Sequence, residues 1–390
     1  MLSVSTALSR IFDLVTPLDS EKVALAQSAG RVLAKAAHAD RDQPPFAASA
    51  MDGYAVLGRD VAAGAVLDVI GVAAAGHRFS GRVGRGQAVR ISTGAPVPEG
   101  ADRIVIQEDV SRNREQITLA STLDDANYIR PAGGDFTAGA ELSAPRRLQP
   151  SDLAMLAAMN VATVTVSRRP VVALIATGDE LVMPGEDPGP DQIIASNSFG
   201  LMALAQSAGA HVRMLPIARD YPASIATALE LASDADLIVT IGGASVGDHD
   251  LVADVAASRG LERAFYRIAM RPGKPLMAGR LGQALLLGLP GNPVSSMVCG
   301  HVFMLPALHA MQGLGYHPAP RSTARLSEPL AANGPREHYM RAHVEGGRIR
   351  AFERQDSALL SVLSAANALL VRPPNEGTRA IGDSVEYIRL

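Results

Sequence analysis

The stretch DLIVTIGGASVGDHD, residues 236–250, constrains the fold more than any other part of the chain. Leu237 to Ile241 is a short apolar run rich in β-branched residues, the pattern of a parallel strand buried on both faces. Gly242 and Gly243 follow at once, then Ser245, Gly247, Asp248 and Asp250, and then a helical pattern from Leu251 to Ala257. Strand, small-residue loop and helix in that order present backbone N–H groups to a phosphate at one edge of an open α/β sheet. Glycine lets the backbone approach a ligand closely. Two acids at the end of such a loop suit a phosphate that arrives with a divalent cation. Taken alone, a Gly-Gly pair followed by an Asp N-cap reads more readily as an ordinary turn, so the rest of the chain has to decide.

The flanking residues repeat the same alternation. Over 169–317 the pattern predicts strand 171–176, helix 197–208, strand 211–217, helix 221–232, strand 236–241, helix 250–258 and strand 264–270. A hairpin, 276–279 with 284–288, and a closing helix, 294–311, follow. Repeated strand–helix alternation predicts a mostly parallel sheet with helices on both faces. Loops 177–180, 242–250 and 271–275 each follow a strand. In an open sheet ligands sit beyond the carboxyl ends of the strands, so these loops are expected to share one pocket.

At 390 residues the chain is too long for one core, and about two to four domains are expected. Residues 1–43 and 137–168 read as one discontinuous helical or mixed domain. Val4, Leu8, Ile11, Phe12 and Val15 recur at helical spacing, and a second amphipathic helix is predicted from Ser20 to Ala37, interrupted by Gly30. Pro150, Ser151 and Asp152 open a helix predicted to pack back on residues 1–38. Between these halves, 44–136 reads as an inserted β domain, with short alternating segments at 66–72, 87–92, 103–107 and 116–119. Residues 318–390 read as a C-terminal β domain with turns at Asn333-Gly334, Gly346-Gly347 and Pro373-Pro374. One short helix is expected between Ala358 and Ala366.

Composition excludes several functions. A net charge of −3 gives no electrostatic case for nucleic acid. The single cysteine, Cys299, excludes a disulfide framework and a cysteine zinc site, and nine histidines lack HxH or HxxxH spacing. No uninterrupted apolar run approaches ~20 residues, so no membrane span is expected. No basic and apolar leader follows Met1, and a cytoplasmic location is expected.

The candidate chemistry lies in loops. Asp52, Asp135, Glu180, Asp220, Asp248 and Asp250 sit in or beside turns, several next to glycine, where carboxylates supply hard oxygen ligands to Mg²⁺. Asp220 is equally explained as a helix N-cap before Tyr221-Pro222. Arg271 and Lys274 flank Pro272-Gly273 and could neutralise a phosphate or oxyanion; a surface basic turn explains them as well. Pro290 and Pro293 bracket Asn292 at the start of the closing helix, a place for backbone donors or a plain turn. SAMDGYAV (49–56) and ISTGAPVPEGAD (91–102) fit anion recognition, or a turn in which Asp52 bonds its own backbone. No Ser-His-Asp or Cys-His arrangement is apparent.

SAMDGYAV, STGAPVP (92–98), RPAGGDF (130–136), TGDEL (177–181), GGASVGDHD (242–250), RPGKP (271–275) and LPGNPVS (289–295) together resemble the molybdopterin molybdenumtransferases. These are the MoeA-type enzymes of bacteria and the E domain of gephyrin. The resemblance runs in the same order over nearly the whole chain. It implies four subdomains, with a central molybdopterin-binding domain, and a homodimer. It implies insertion of molybdate into adenylylated molybdopterin, with Mg²⁺ and release of AMP, and the molybdopterin adenylyltransferase as a partner. By the same resemblance Asp52, Thr93, Asp135, Glu180 and Asp250 are the catalytic candidates, with Asp52 and Thr93 facing the partner subunit. Gly242, Gly243, Ser245, Asp248, Arg271, Lys274, Pro290 and Asn292 would contact substrate, and Glu180, Asp220 and Asp250 would hold metal. Three positions depart from the family pattern. Arg271 stands where lysine is usual, Ala48 where a polar residue is frequent, and Gly134 where Glu is common. Two other readings stay open here: a molybdopterin adenylyltransferase, which leaves residues 1–168 and 318–390 without a purpose, and a gephyrin-like scaffold, which needs a peptide groove in the C-terminal domain.

Overall fold

Five consecutive buried residues, Leu237–Ile241, form the middle of the α/β sheet. A computed structural model describes residues 1–243 and 251–390. Among these residues the sheet runs, in spatial order, His211–Met214, Val171–Ala176, Leu237–Ile241, Ala284–Leu289, Pro275–Leu281 and Glu262–Arg267. The first four are parallel, and the last two join through antiparallel pairings. Residue alternation sorts the two faces. Val172 and Leu174 point to one core with Leu201 and Ala205 of helix Asn197–Ser207 and with Val294, Val298 and Leu308. Ala173 and Ile175 point to the other, against helices Pro222–Leu231 and Leu251–Ser258. Both faces are covered, which is why these strands read as continuous apolar runs. The mostly parallel central domain expected from the sequence is present.

The closing segment, Pro293–Met311, is long and apolar enough to cross a membrane, a length the count of uninterrupted apolar residues missed. Its apolar character serves the interior instead, with 78% of it buried. Helix Val4–Phe12 joins the same core through Val4, Ala7, Leu8 and Ile11, capped by Ser3, whose Oγ accepts the Thr6 N–H at 3.0 Å.

The helix predicted from Ser20 to Ala37 does not form. Ser20–Ala24 is a strand paired along its length with Thr163–Ser167, and Val32–Leu33 pairs with Arg146–Arg147. Partners more than a hundred positions away supply the ladder bonds, and tertiary pairing overrides a local 3.6-residue pattern. Gly30, at φ +70°, turns the chain between the two strands. Helix Pro150–Ala158 lays Leu156 onto this sheet beside Leu33, Ala39 and Val164, and Asp152 accepts the Gln149 N–H at 2.8 Å at its start.

In the inserted region the sheet order is Arg103–Ile106, Gly53–Val56, Gln87–Ile91, Val66–Ala73, Gln116–Leu119 and Val110–Asn113. Its four predicted segments are all strands. In the C-terminal region Glu337–Glu345 pairs both with Arg348–Ala351 and with Ala368–Arg372, closing a small barrel through Ser322–Leu326 and Ser384–Arg389. Met270–Arg271 of the α/β domain pairs with Glu337 and His338 and so docks the barrel on the central sheet.

Gly53, between Asp52 and the strand Gly53–Val56, lies so close to Val105 that an added Cβ would collide with its carbonyl oxygen. Gly53→Ala should destabilise the inserted sheet by on the order of 3 kcal/mol, because backbone cannot yield as a side chain does. Urea unfolding monitored on this chain checks it; an unchanged midpoint would show that the two strands can separate freely.

Candidate active site

The carboxyl ends of three adjacent parallel strands open into one cavity of about 820 Å³. Val171–Ala176 delivers Thr177, Gly178 and Glu180 to its wall, Leu237–Ile241 delivers Gly242 and Gly243, and Ala284–Leu289 delivers Pro290, Gly291 and Asn292. The floor is backbone against backbone. At Gly242, φ +94°, a Cβ would stand 2.7 Å from the Thr177 carbonyl oxygen, so glycine is required there on both counts. Asn197 Nδ2 donates to the Gly291 carbonyl at 2.7 Å and fixes the third loop to the start of helix Asn197–Ser207.

Charge in the cavity is of both signs. Glu180 and Asp220 line it, and both are exposed to it. The Asp220 N–H donates to Asp179 Oδ1 at 3.1 Å, tying the two acidic loops together. Facing them are the N-termini of helices Asn197–Ser207 and Pro293–Cys299, with Ser196, Asn197, Ser198, Asn292 and Pro293 all on the wall. Helix N-termini carry partial positive charge that favours an anion; the start of Asn197–Ser207 adds N–H donors, whereas Pro293–Cys299 opens on a proline and commits its Val294 N–H to the Ser357 carbonyl. Among the described residues no group of three His, Cys, Asp or Glu side chains could hold a metal by itself. Two hard carboxylates with open space beside them nonetheless match Mg²⁺, which keeps waters and takes its remaining ligands from substrate phosphates. Ser245, Asp248 and Asp250 lie outside the described residues.

The loop 271–275 behaves differently from the other two. Only its Pro275 reaches the cavity wall; Arg271 and Lys274 do not line it. Arg271 is drawn into the strand pairing with the C-terminal barrel, beside His338. There Arg341 is fully buried. Its Nη2 donates to the Asp356 carbonyl at 3.0 Å, while Nε and Nη1 have no partner, and neither has Nε2 of the buried His338. Burial first, then Arg271, pushes the Arg341 guanidinium down to about 10. Burial, then Arg271, Arg341, Arg372 and Arg336, hold His338 down to about 4, so it is neutral near pH 7. This cluster abuts the cavity: Ser357, next to Asp356, accepts the Val294 N–H at 3.0 Å and bonds Asn292 Nδ2 at 3.1 Å, and Ala358 is part of the wall. Buried donors without partners are costly, and their concentration here points to a ligand.

Asp52, Thr93 and Asp135 are outside this cavity. They gather on the inserted region. The Thr93 N–H donates to Asp52 Oδ1 at 2.7 Å, and strand Ala48–Ser49 pairs with Ile129–Arg130, which leads to Asp135. All three residues are exposed. The candidate acids thus split into two places within one chain. A separate open groove of about 920 Å³ runs between Leu8 and Phe12 of the first helix and Tyr316, Pro318, Arg321 and Glu337. Most of its lining comes from the first helix and the residues just after it, and only Pro318, Arg321 and Glu337 belong to residues 318–390.

Ser196, Asn197, Ser198, His338 and Arg341 were not singled out from sequence. A Ser-Asn-Ser run opening an apolar helix was a visible capping signal for the first three. His338 and Arg341 sit in an ordinary alternating strand, and only burial distinguishes them.

Three family models match the chain: "MoeA N-terminal region (domain I and II)" over residues 2–160, "Probable molybdopterin binding domain" over 173–310, and "MoeA C-terminal region (domain IV)" over 323–390. The chain is 34% identical to a molybdopterin molybdenumtransferase of Nostoc, over all of this chain and 94% of that protein. It is 33% identical to the Haemophilus influenzae molybdopterin molybdenumtransferase, over 99% of this chain and 98% of that one. A solved molybdopterin biosynthesis MoeA protein of Pyrococcus horikoshii superposes with a TM-score of 0.86 at 27% identity, over the full length of both chains.

The depressed His338 has a consequence for stability. Between pH 6.5 and 4 the unfolded chain binds a proton that the folded chain refuses, so stability falls as pH drops through that window. His338→Gln should remove on the order of 2 kcal/mol of that loss at pH 4.5 relative to pH 7.5. Urea titrations of both proteins at the two pH values check this; equal losses would mean that His338 is protonated in the folded state. Part of the acid limb persists, since burial also holds His301 down to about 4.

Proposed function

The chain belongs to the family of molybdopterin molybdenumtransferases, transferases of molybdenum cofactor biosynthesis, and on that premise we propose how its cavity inserts molybdenum. The ligand is adenylylated molybdopterin and the metal is Mg²⁺; as the dithiolene takes up molybdate, water cleaves the P–O–P bond, leaving AMP and the pterin's own phosphate. One observation carries the reading. A cavity with two carboxylates and two helix N-termini adjoins a buried guanidinium, Arg341, two of whose nitrogens have no partner.

In this reading the N–H groups at Gly243 and the start of helix Asn197–Ser207 hold the phosphates, as helix N-termini do, while Gly242, whose own N–H donates to the Leu289 carbonyl at 3.1 Å, keeps the floor clear for them. Lys274, just ahead of Pro275 on the wall, adds a point charge. Glu180 and Asp220, joined by Asp250, would hold Mg²⁺, which when bound lowers the charge barrier at the diphosphate. Asn292 and Pro290 keep the third loop rigid against the ligand. Arg341 Nε and Nη1, His338 Nε2 and the Arg271 guanidinium receive molybdate, a tetrahedral oxyanion that would satisfy the unpaired donors. Arg271 in place of a lysine supports this division, because a planar fork suits an oxyanion held from two sides. The insertion of molybdate from that side keeps its path separate from the pterin's.

Asp52, Thr93 and Asp135 are assigned to the second copy of a homodimer, where the exposed face of one inserted region completes the cavity of the other. Their exposure and their absence from the cavity of their own chain support this. The proposed setting is the cytoplasm, with the molybdopterin adenylyltransferase as supplier of the capped pterin. An adenylyltransferase reading for this chain itself is disfavoured by the matches over 2–160 and 323–390, outside the central domain.

Glu180→Gln should lower molybdate-dependent AMP release roughly 100-fold or more while thermal unfolding stays unchanged. Unchanged turnover would remove Glu180 from the mechanism. Arg341→Met should raise the molybdate concentration for half-maximal rate by about 10-fold or more, the value of one charged hydrogen-bond set. An unaltered molybdate dependence would place the oxyanion elsewhere.

A further inference from the structure

Arg219 stands between the two acidic loops without lining the cavity itself. Its Nη1 points into a cup of three carbonyl oxygens: Asp179 and Leu181, both at 3.1 Å, and Gly178 at 3.4 Å. Those carbonyls bracket Glu180 on both sides. The Arg219 backbone is fixed in turn, its N–H donating to Ser224 Oγ at 2.9 Å, and the next residue is Asp220. Thr177 bridges to Ala218, and the Gly178 N–H donates to the Ala218 carbonyl at 3.1 Å. The loop therefore wraps around a single guanidinium nitrogen. With its carbonyls turned toward Arg219, the loop carries the Glu180 side chain folded back over Gly178, where a Cβ would collide with the carboxylate.

We propose that Arg219 is a positioning residue for the reaction: its guanidinium gathers the carbonyls of Gly178, Asp179 and Leu181 and so sets the Glu180 and Asp220 carboxylates at a fixed spacing. The three carbonyls share the two N–H groups of Nη1 and its part of the guanidinium charge, a positive donor that arginine supplies and a neutral side chain does not. Loss of the clamp leaves the sheet intact, because strand Val171–Ala176 keeps its own pairings on both sides. The cost falls on geometry, and small misplacements of catalytic groups slow reactions steeply. The inference rests on the reading of the cavity given above and deepens it.

The test uses the full-length protein with adenylylated molybdopterin, molybdate and Mg²⁺, comparing wild type with Arg219→Ala and Arg219→Lys. Arg219→Ala should lower kcat for AMP release roughly 10- to 100-fold, with KM for the capped pterin within about threefold of wild type. Arg219→Lys should fall between the two, and free guanidinium should restore part of the alanine variant's rate. Amide hydrogen exchange over 177–183 should rise in Arg219→Ala, while the strands 172–176 and 237–241 keep wild-type protection. A kcat within about threefold of wild type would overturn the proposal. So would a lost rate accompanied by faster exchange throughout the α/β domain and no guanidinium recovery, the mark of a general loss of stability. If wild type releases no AMP on addition of molybdate, the enzymatic reading fails on its own. The exchange comparison then still decides the clamp, with unchanged exchange over 177–183 counting against it.

Discussion

The close approach of three strand ends is the constraint on which the rest depends. Gly242 sits against the Thr177 carbonyl and Gly243 against Val252, both at positive φ, and Gly291 lies beside Gly242 at ordinary contact distance. Side chains are excluded at Gly242 and Gly243, so what faces a ligand there is backbone. Around it the polar groups come from loop ends and helix starts, where the fold leaves N–H groups free. The carboxyl edge of a parallel sheet provides such a place by topology, because every crossover returns a helix N-terminus to the same edge.

A second principle shapes the cavity from the other side. The C-terminal barrel docks through Met270–Arg271 and brings the buried Arg341 guanidinium, with two unpaired nitrogens, close behind the part of the cavity that Asn292 and Ala358 line. In the proposed reading, carboxylates that hold a metal and cations that hold an oxyanion would neutralise each other if they shared one loop, and separate domains would keep them apart until substrate lies between them. The proposed homodimer would extend the same logic to the exposed acids of the inserted region.

The parallel core was legible because a strand buried on both faces writes itself as a continuous apolar run, as in Leu237–Ile241 and Val171–Ala176. The inserted strands were legible from alternation bounded by Gly and Pro. Residues 20–37 misled because their apolar spacing is compatible with a helix, while their pairing partners at 146–147 and 163–167 are remote. In the site, glycine loops followed by acids marked Glu180, Gly242 and Gly243, which the fold does bring together. Arg271 was legible as a cation, but its strand pairing with Glu337 and His338, which draws it away from the cavity wall, cannot be read from RPGKP. Arg341 was invisible: its importance lies in being buried without partners, and burial is a property of the assembled fold.

The central claim is that the capped pterin lies across the glycine floor with its diphosphate between the acids and the helix starts. A crystal structure of the protein with adenylylated molybdopterin and Mg²⁺ tests it most directly. The account predicts the diphosphate over Gly242 and Gly243, with the metal about 2.1 Å from a carboxylate oxygen of Glu180 or Asp220. Ligand density in the groove beside Phe12 and Tyr316, with the glycine floor empty, would contradict it.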